Sequence, residues 1–510
     1  MAPTGRKRSV LFRLFKFLGL CLGALVLLAL AASLFENWRG ARAWKAFRAE
    51  WEAKGERFEM AAFKPPPVPD EQNFAMTPLL APMLDYTRLP GRPNEWRDAA
   101  GKDRAQALSS PFKNSGRAKM PPMGQWQSAT FVDLEAWRDY FDGNTNFPFA
   151  KPPKNPAQDV LTALGKFSPE LDELAVAART RPRSAFPIHY EETFSALLPH
   201  LATLKGLSQI VRLRALARLA AGQKAEALQD VELALRFAET LKTEPTLISQ
   251  LVRIAIVQIA MQPIWEGMAR HQWSEEQLAA VQSTLANIRI LEDYGRTMRG
   301  ERAFGNAALE EMKNGRTPLS ALGDGVGLPD GYVGSFLGRL IPGGWYRLNQ
   351  VTLNRLFQER SLPLVDVAKH RVYAAETRAS DDVPELREFG VHNIFARLLF
   401  PALSQSARKF ANAQTTIDLA IVACALERHR LANGSYPEQL DPLVPRYIER
   451  IPPDVISGDL LRYQRTSPSQ FVLYSVGWNE TDDGGEVHVR KPGDAPDPNT
   501  GDWVWRYELQ

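Results

Sequence analysis

The sequence predicts an α+β chain that is predominantly α: an N-terminal transmembrane helix, an irregular helical-bundle domain, and a C-terminal module of one helix on a small antiparallel sheet. Three observations carry this. Phe17 to Phe35 (FLGLCLGALVLLALAASLF) is uncharged and mostly apolar over the length that crosses a hydrocarbon core as a helix. Long stretches with a 3.6-residue apolar period fill the middle of the chain. The last hundred residues change to short runs with β-type alternation.

Composition fits globular protein. The chain has 510 residues, 45% hydrophobic and 24% charged, enough apolar side chains to bury a core, so disorder does not dominate it. Its 62 Lys and Arg are balanced by 58 Asp and Glu and are scattered without interleaved aromatics, which argues against nucleic acid as a partner. Its two cysteines, Cys21 and Cys424, allow neither a disulfide framework nor a cysteine-based zinc site.

Residues 1–16 form a basic tail with Arg6, Lys7, Arg8, Arg13 and Lys16, and the transmembrane helix follows at 17–35. The basic tail favours a cytoplasmic N-terminus, with the bulk of the chain on the other side. Two readings of this segment compete: an uncleaved single-pass anchor in the lipid bilayer, favoured because the apolar run continues past Ala29-Leu30-Ala31, and a signal peptide cut at that small-residue site. Over 36–63, Trp44, Phe47, Trp51 and Phe58 recur at helical spacing, predicting an amphipathic juxtamembrane helix. Its aromatic stripe suits a lipid surface and the protein's own core equally.

Residues 64–156 begin with KPPPVPDEQ and are rich in Pro, Gly and Asn, so an irregular segment draped over other structure is expected, with a short helix within Phe131 to Phe141. The helical domain is placed at 157–404. Within it, Leu213 to Leu241 resembles a single tetratricopeptide-type hairpin that turns near Gly222, with Ala217, Leu228 and Ala234 at the close approach; no second copy follows at the ~34-residue period of that repeat. Glu244 to Met268 is interrupted by Arg253 and Pro263 and reads as a buried helix rather than a second span. The loop of Leu322 to Gln350 holds Gly323, Gly325 and Gly327 but lacks the strand and the Gly-x-Gly-x-x-Gly spacing of a phosphate cradle. Helices are expected again from Leu353 to about Thr377 and from Gly390 to Ser404.

Residues 405–510 contain a helix to about Leu431, apolar nearly all round between Ile417 and Leu426, then strand-like runs at Leu460–Arg465, Gln470–Val476, Glu486–Arg490 and Asp502–Leu509. Gly434, Tyr436 and Pro437 after the helix, Pro453-Asp454 before the first strand, Tyr474-Ser475-x-Gly477 closing a strand and Asp502-Trp503 near the end occur in an order and spacing that resembles the C-terminal domain of the type II secretion major pseudopilin. The resemblance implies a pilin-like fold for 405–510 and a calcium ion in the loop after Tyr-Ser-x-Gly. Its ligands carry over to Asp482, Asp483 and Asp502, with Asn479 where the family often has an aspartate. An EF-hand is excluded, because the twelfth position from Asn479 is Arg490. The alternative is that Asp482-Asp483-Gly484-Gly485 is a solvated turn, and the insertion VRKPGDAPDPNT puts distance between the loop and Asp502. Pseudopilins run from a short leader and an apolar helix straight into this domain. Here no such leader is recognised and residues 36–404 intervene, so a pilus-forming subunit is not expected. The resemblance implies a bacterial inner membrane location.

No catalytic constellation stands out. The seven histidines include no His-Glu-x-x-His pair and no Gly-x-Ser-x-Gly accompanies them; His189 and His429 read as unremarkable, and Glu301-Arg302 and Glu310-Glu311 as charges on a helix surface. The sequence therefore points to a membrane-anchored, non-enzymatic scaffold or interaction protein with protein partners on its helical domain and no small-molecule substrate. The alternatives are an accessory component of a type II secretion or pilus-like apparatus, and an enzyme whose site is assembled from distant residues.

Overall fold

A computed structural model describes residues 5–89, 94–113, 119–317, 341–380, 390, 392–397, 400, 405–489 and 496–507. These are mostly helical. The helices in chain order are α1 (Gly5–Ala53), α2 (Ala99–Ala107), α3 (Leu134–Asp142), α4 (Pro156–Leu164), α5 (Ser168–Thr180), α6 (Pro199–Ala220) and α7 (Lys224–Thr240). They continue with α8 (Leu247–Ala269), α9 (Glu275–Ala286), α10 (Ile290–Lys313), α11 (Gly343–Leu356), α12 (Ala374–Ser380) and α13 (Ser406–Asn433). The strands are β1 (Tyr86–Thr87), β2 (Glu95–Trp96), β3 (Val365–Asp366), β4 (Arg371–Val372), β5 (Arg462–Ser467), β6 (Gln470–Ser475), β7 (Val487–Val489), β8 (Pro496–Gly501) and β9 (Trp503–Arg506). Every described pairing between them is antiparallel.

The chain forms two compact units that interleave along the sequence instead of following the expected blocks. One comprises residues 1–62, 302–359 and 382–401; the other comprises 63–301, 360–381 and 402–510.

In the first unit α1 is one unbroken helix. The expected boundary at 35/36 does not exist: the juxtamembrane stretch continues the apolar helix and ends at Ala53, near Gly55 in the left-handed region. From Phe12 on, the apolar part of α1 has no protein cover. Burial begins at Gly40, where α1 crosses α11 so closely that a Cβ on Gly40 would lie 2.3 Å from the Gly344 carbonyl oxygen. Asn37 Oδ1 accepts the Gly344 amide at 2.7 Å across this crossing. Trp44 and Phe47 then pack with Phe58 and Val351. The aromatic stripe thus serves the unit's own core, each fully buried ring being worth ~1.5–3 kcal/mol. Asn306 and Asn354 exchange side-chain hydrogen bonds at 2.6 and 3.1 Å between α10 and α11. Arg302, expected on a helix surface, is fully buried; it donates to Glu56 Oε2 at 2.8 Å and stacks over Phe58. The glycine-rich stretch with Gly323, Gly325 and Gly327 lies outside the described residues, as do 391, 398–399 and 401–404 of the helix expected from Gly390 to Ser404, while the end of the expected loop, from Gly343, is helix α11.

In the second unit α6, α7 and α8 pack on one another, with the α6–α7 turn at Gly222. Ala217, Ala227 and Ala234 are buried at this contact, while Leu228 is only half-buried. Helix α8 is a buried core helix, and its Arg253 is neutralised by Glu239 at 2.7 Å and Asp293 at 2.6 Å. The irregular segment from residue 64 lies along the helices and contains an extra helix, α2. Helix side chains satisfy its backbone groups, as unpaired buried amides and carbonyls demand. Arg181 donates to the carbonyls of Asp70, Asn73 and Met76, Gln262 accepts from Trp126 N, and Glu266 accepts from Val132 N.

Helix α13 is buried on more than one side, as its all-round apolar surface requires. It packs on α8 and α9 and also on the sheet ordered β5-β6-β9. Its C-terminus is closed by Gly434 in the left-handed conformation. Contacts such as Trp265 Nε1 to the Arg506 carbonyl, at 2.7 Å, join the C-terminal segment to the helices within one unit, across the expected boundary at 404/405. A helix expected from Leu353 to about Thr377 is instead broken at Pro363, after which β3 and β4 form a small hairpin.

Candidate functional site

The Tyr474–Glu486 stretch begins as the end of β6. Ser475 Oγ donates to Asp454 Oδ1 at 2.8 Å; Asp454 also accepts the amides of Ile456 (2.8 Å) and Val476 (3.1 Å). Gly477, at φ +66°, sits where a Cβ would come 2.3 Å from the Gly501 carbonyl oxygen, so only glycine fits. Pro453-Asp454 and Tyr474-Ser475-x-Gly477, separate in sequence, are therefore two halves of one buried hydrogen-bonded corner.

The structure brings together all four residues carried over as metal ligands. Asp502 reaches the loop because the inserted residues include β8, which pairs with β7 and returns the chain. The Asp502 carboxylate accepts Gly485 N at 2.6 Å and Asp483 N at 3.3 Å. Asp482 accepts the Tyr474 hydroxyl (3.0 Å) and Gly484 N (3.1 Å), and its other oxygen faces Arg462 Nε at 3.3 Å. Asn479 donates its amide N–H to Asp483 at 2.8 Å, while its carbonyl oxygen accepts Thr481 N. These bonds close the loop with protein donors, and as arranged the four side chains do not fit calcium. Ligation would compete with Arg462 and with three backbone amides, those of Asp483, Gly484 and Gly485. No group of three or more His, Cys, Asp or Glu side chains converges among the described residues. Burial and the neighbouring Asp483 and Asp482 push the Asp502 carboxyl up to about 6, whereas the Gly484 amide holds Asp482 below its ordinary value.

A well-formed cleft lies elsewhere in the second unit. It has a volume of about 360 Å³ and is walled by the end of α9, the start of α10, the β3–β4 turn, the outer face of α13 and residues 448–453. At its floor His370, in the left-handed conformation of the turn, contacts Asp418 on α13, Nε2 to Oδ2 2.7 Å. Gln414, one turn earlier, donates to Asp418 Oδ1 at 3.0 Å and accepts the Ile290 and Leu291 amides, capping α10. Burial opposes charge on His370, but the Asp418 carboxylate outweighs it and the imidazole is raised above its ordinary value. Burial raises Asp418 as well, against the pull of His370. Among the described residues no serine, threonine, cysteine or tyrosine lines this cleft.

Sequence reasoning missed this pair because its partners are 48 residues apart and no local spacing links them. The same holds for His200–Glu244 and His271–Glu427, both at 2.8 Å and 44 and 156 residues apart. His200 and its glutamate are fully buried, stacked under Phe186, and His271 ties the α8–α9 turn to α13. His189 is exposed beside Glu191 and His429 bonds the Ser435 carbonyl, as their sequence surroundings imply. Searches of protein-family models, curated proteins and solved structures return no match for this chain.

Proposed function

We propose that the chain is a membrane-anchored, non-enzymatic scaffold or interaction protein held by a single uncleaved helix. The observation that carries the anchor is the apolar part of α1: a run with mean hydropathy 2.5 and no protein cover. Residues 12–35 of a helix extend ~36 Å, enough for a ~30 Å hydrocarbon core, and uncovered apolar surface of this extent calls for lipid. Trp38, over which Arg42 stacks, fits the aromatic level of a membrane interface just before protein contacts begin. The apolar walls of the cleft around the His370–Asp418 pair support a binding role.

A second reading, an accessory part of a type II secretion or pilus-like apparatus, draws on one observation. The residues shared with the pseudopilin domain meet as a hydrogen-bonded corner beside a helix on a three-stranded sheet.

The anchor is tested by alkaline carbonate extraction of membranes carrying the full chain, with tags at both ends for protease protection. We expect retention in the pellet and release by the double variant Leu22→Arg, Leu25→Arg. A wild-type chain found in the supernatant would remove the anchor. Substrate turnover by the purified chain that vanishes in His370→Gln would replace the scaffold reading with an enzyme.

A further inference from the structure

We propose that the cleft over His370 and Asp418 is a binding site for an apolar monocarboxylate. Its volume of about 360 Å³ is within the range of small-ligand sites, ~300–1,000 Å³. Its walls are apolar on three sides: Leu285 and Ile288 from the α9–α10 corner, Ile417 and Ile421 from α13, and Ile448 and Pro452 from the segment opposite.

The polar groups are fewer, and most are already spoken for. Arg289 holds Glu292 at 2.9 Å, Lys369 holds Asp366 at 3.2 Å, and both oxygens of Asp418 are taken by His370 and Gln414. Glu449 and Arg450 remain at the rim, and neither forms an ion pair among the described residues. Arg450 lines the same cleft as His370 and opposes charge on its imidazole, a repulsion that an anion seated between them would relieve. The first turn of α10 forms the opposite wall, where Gln414 already accepts the Ile290 and Leu291 amides. A carboxylate is the ligand head group that matches an unpaired guanidinium fork beside His370, and the isoleucine walls require an apolar body behind it.

Two sources share this chemistry: a free organic acid, or the C-terminus of an apolar peptide. The test uses the full chain purified in detergent, so it does not depend on the anchor or on the scaffold reading. Calorimetric titrations compare 4-phenylbutyrate with 4-phenylbutyramide, and the peptide Leu-Leu-Phe with its C-terminal amide. Saturable binding with one site per chain is expected for at least one carboxylate, with its amide weaker by about tenfold or more. Binding of the acid alone assigns the site to a small molecule; binding of the peptide alone assigns it to a chain end. Arg450 is exposed, so Arg450→Gln leaves the fold intact and weakens binding by a similar factor, while Ile421→Arg fills the cleft and abolishes it. No saturable binding of either carboxylate, equal affinity for acid and amide, or unchanged affinity in Arg450→Gln would overturn the proposal.

Discussion

Replacing Gly344 by alanine tests whether α1 and α11 meet as closely as described. A Cβ there would stand 1.9 Å from the Glu36 carbonyl oxygen and 2.3 Å from its carbon, both backbone atoms that no rotamer change can move. To reach ordinary contact the helices must separate by more than an ångström. Such overpacking costs ~1–3 kcal/mol, and stretching the 2.7 Å Asn37–Gly344 bond adds ~1 kcal/mol. Alanine's better helix propensity returns at most ~1 kcal/mol, less so close to a helix start. A net loss of ~1–3 kcal/mol follows. Gly343→Ala is the matched control: its nearest neighbour would be the Asn37 side-chain oxygen at 3.4 Å, an ordinary contact. Thermal unfolding of the full chain in detergent, followed by tryptophan fluorescence, should show Gly344→Ala melting several degrees below both Gly343→Ala and wild type. Equal melting of the two variants would refute the close crossing.

Other outcomes follow from the second unit. Asp454→Ala leaves one hydroxyl and two buried amides without their acceptor, so a loss of at least ~3 kcal/mol in denaturant unfolding is expected; a loss under ~1 kcal/mol would contradict the corner. Asp502, at about 6 in the folded chain against 3.8 ordinarily, binds a proton more tightly when folded. Its contribution therefore falls as pH rises from about 4 to about 6, and Asp502→Asn should flatten that decline in a melting-temperature profile. Because the loop's carboxylates are taken by protein donors, millimolar calcium and chelator should give the same melting temperature; a calcium-dependent rise would reinstate the ion. For His370, whose folded value is raised, stability is fully present below its ordinary value near 6.5 and is lost as pH climbs through the folded value. His370→Gln should abolish that loss above about pH 6.5, and an unchanged profile would show that the pair is not charged.

Some of this structure is written in local pattern and some is not. Helix α13 and strands β5, β6, β7 and β9 appear close to where periodicity and alternation place them, because Gly434 ends the helix and the Phe471, Leu473 and Ser475 side chains face inward in turn. The Asp482–Asp502 neighbourhood was legible through the resemblance, although the hydrogen-bond directions that set its chemistry were not. The residues PDPNTG show no strand propensity and form β8 only because β7 offers them a partner. Arg302 reads as a surface charge until Glu56 and Phe58 fold around it. The cleft is invisible for the same reason: its walls come from four distant stretches, and the one local clue is Pro363, which stops a helix and leaves His370 free to stand on a turn.

Helix α1 carries one more consequence. With no break at residue 36, the apolar segment and the stem gripped by Val351 and Phe58 form a single helix of ~73 Å. If this rod is the anchor proposed above, a thinner bilayer tilts it rather than bends it, and a change in local membrane thickness becomes a change in the angle of the first unit to the lipid. Two glycines inserted after Phe35 would uncouple lean from thickness while leaving the anchor in place.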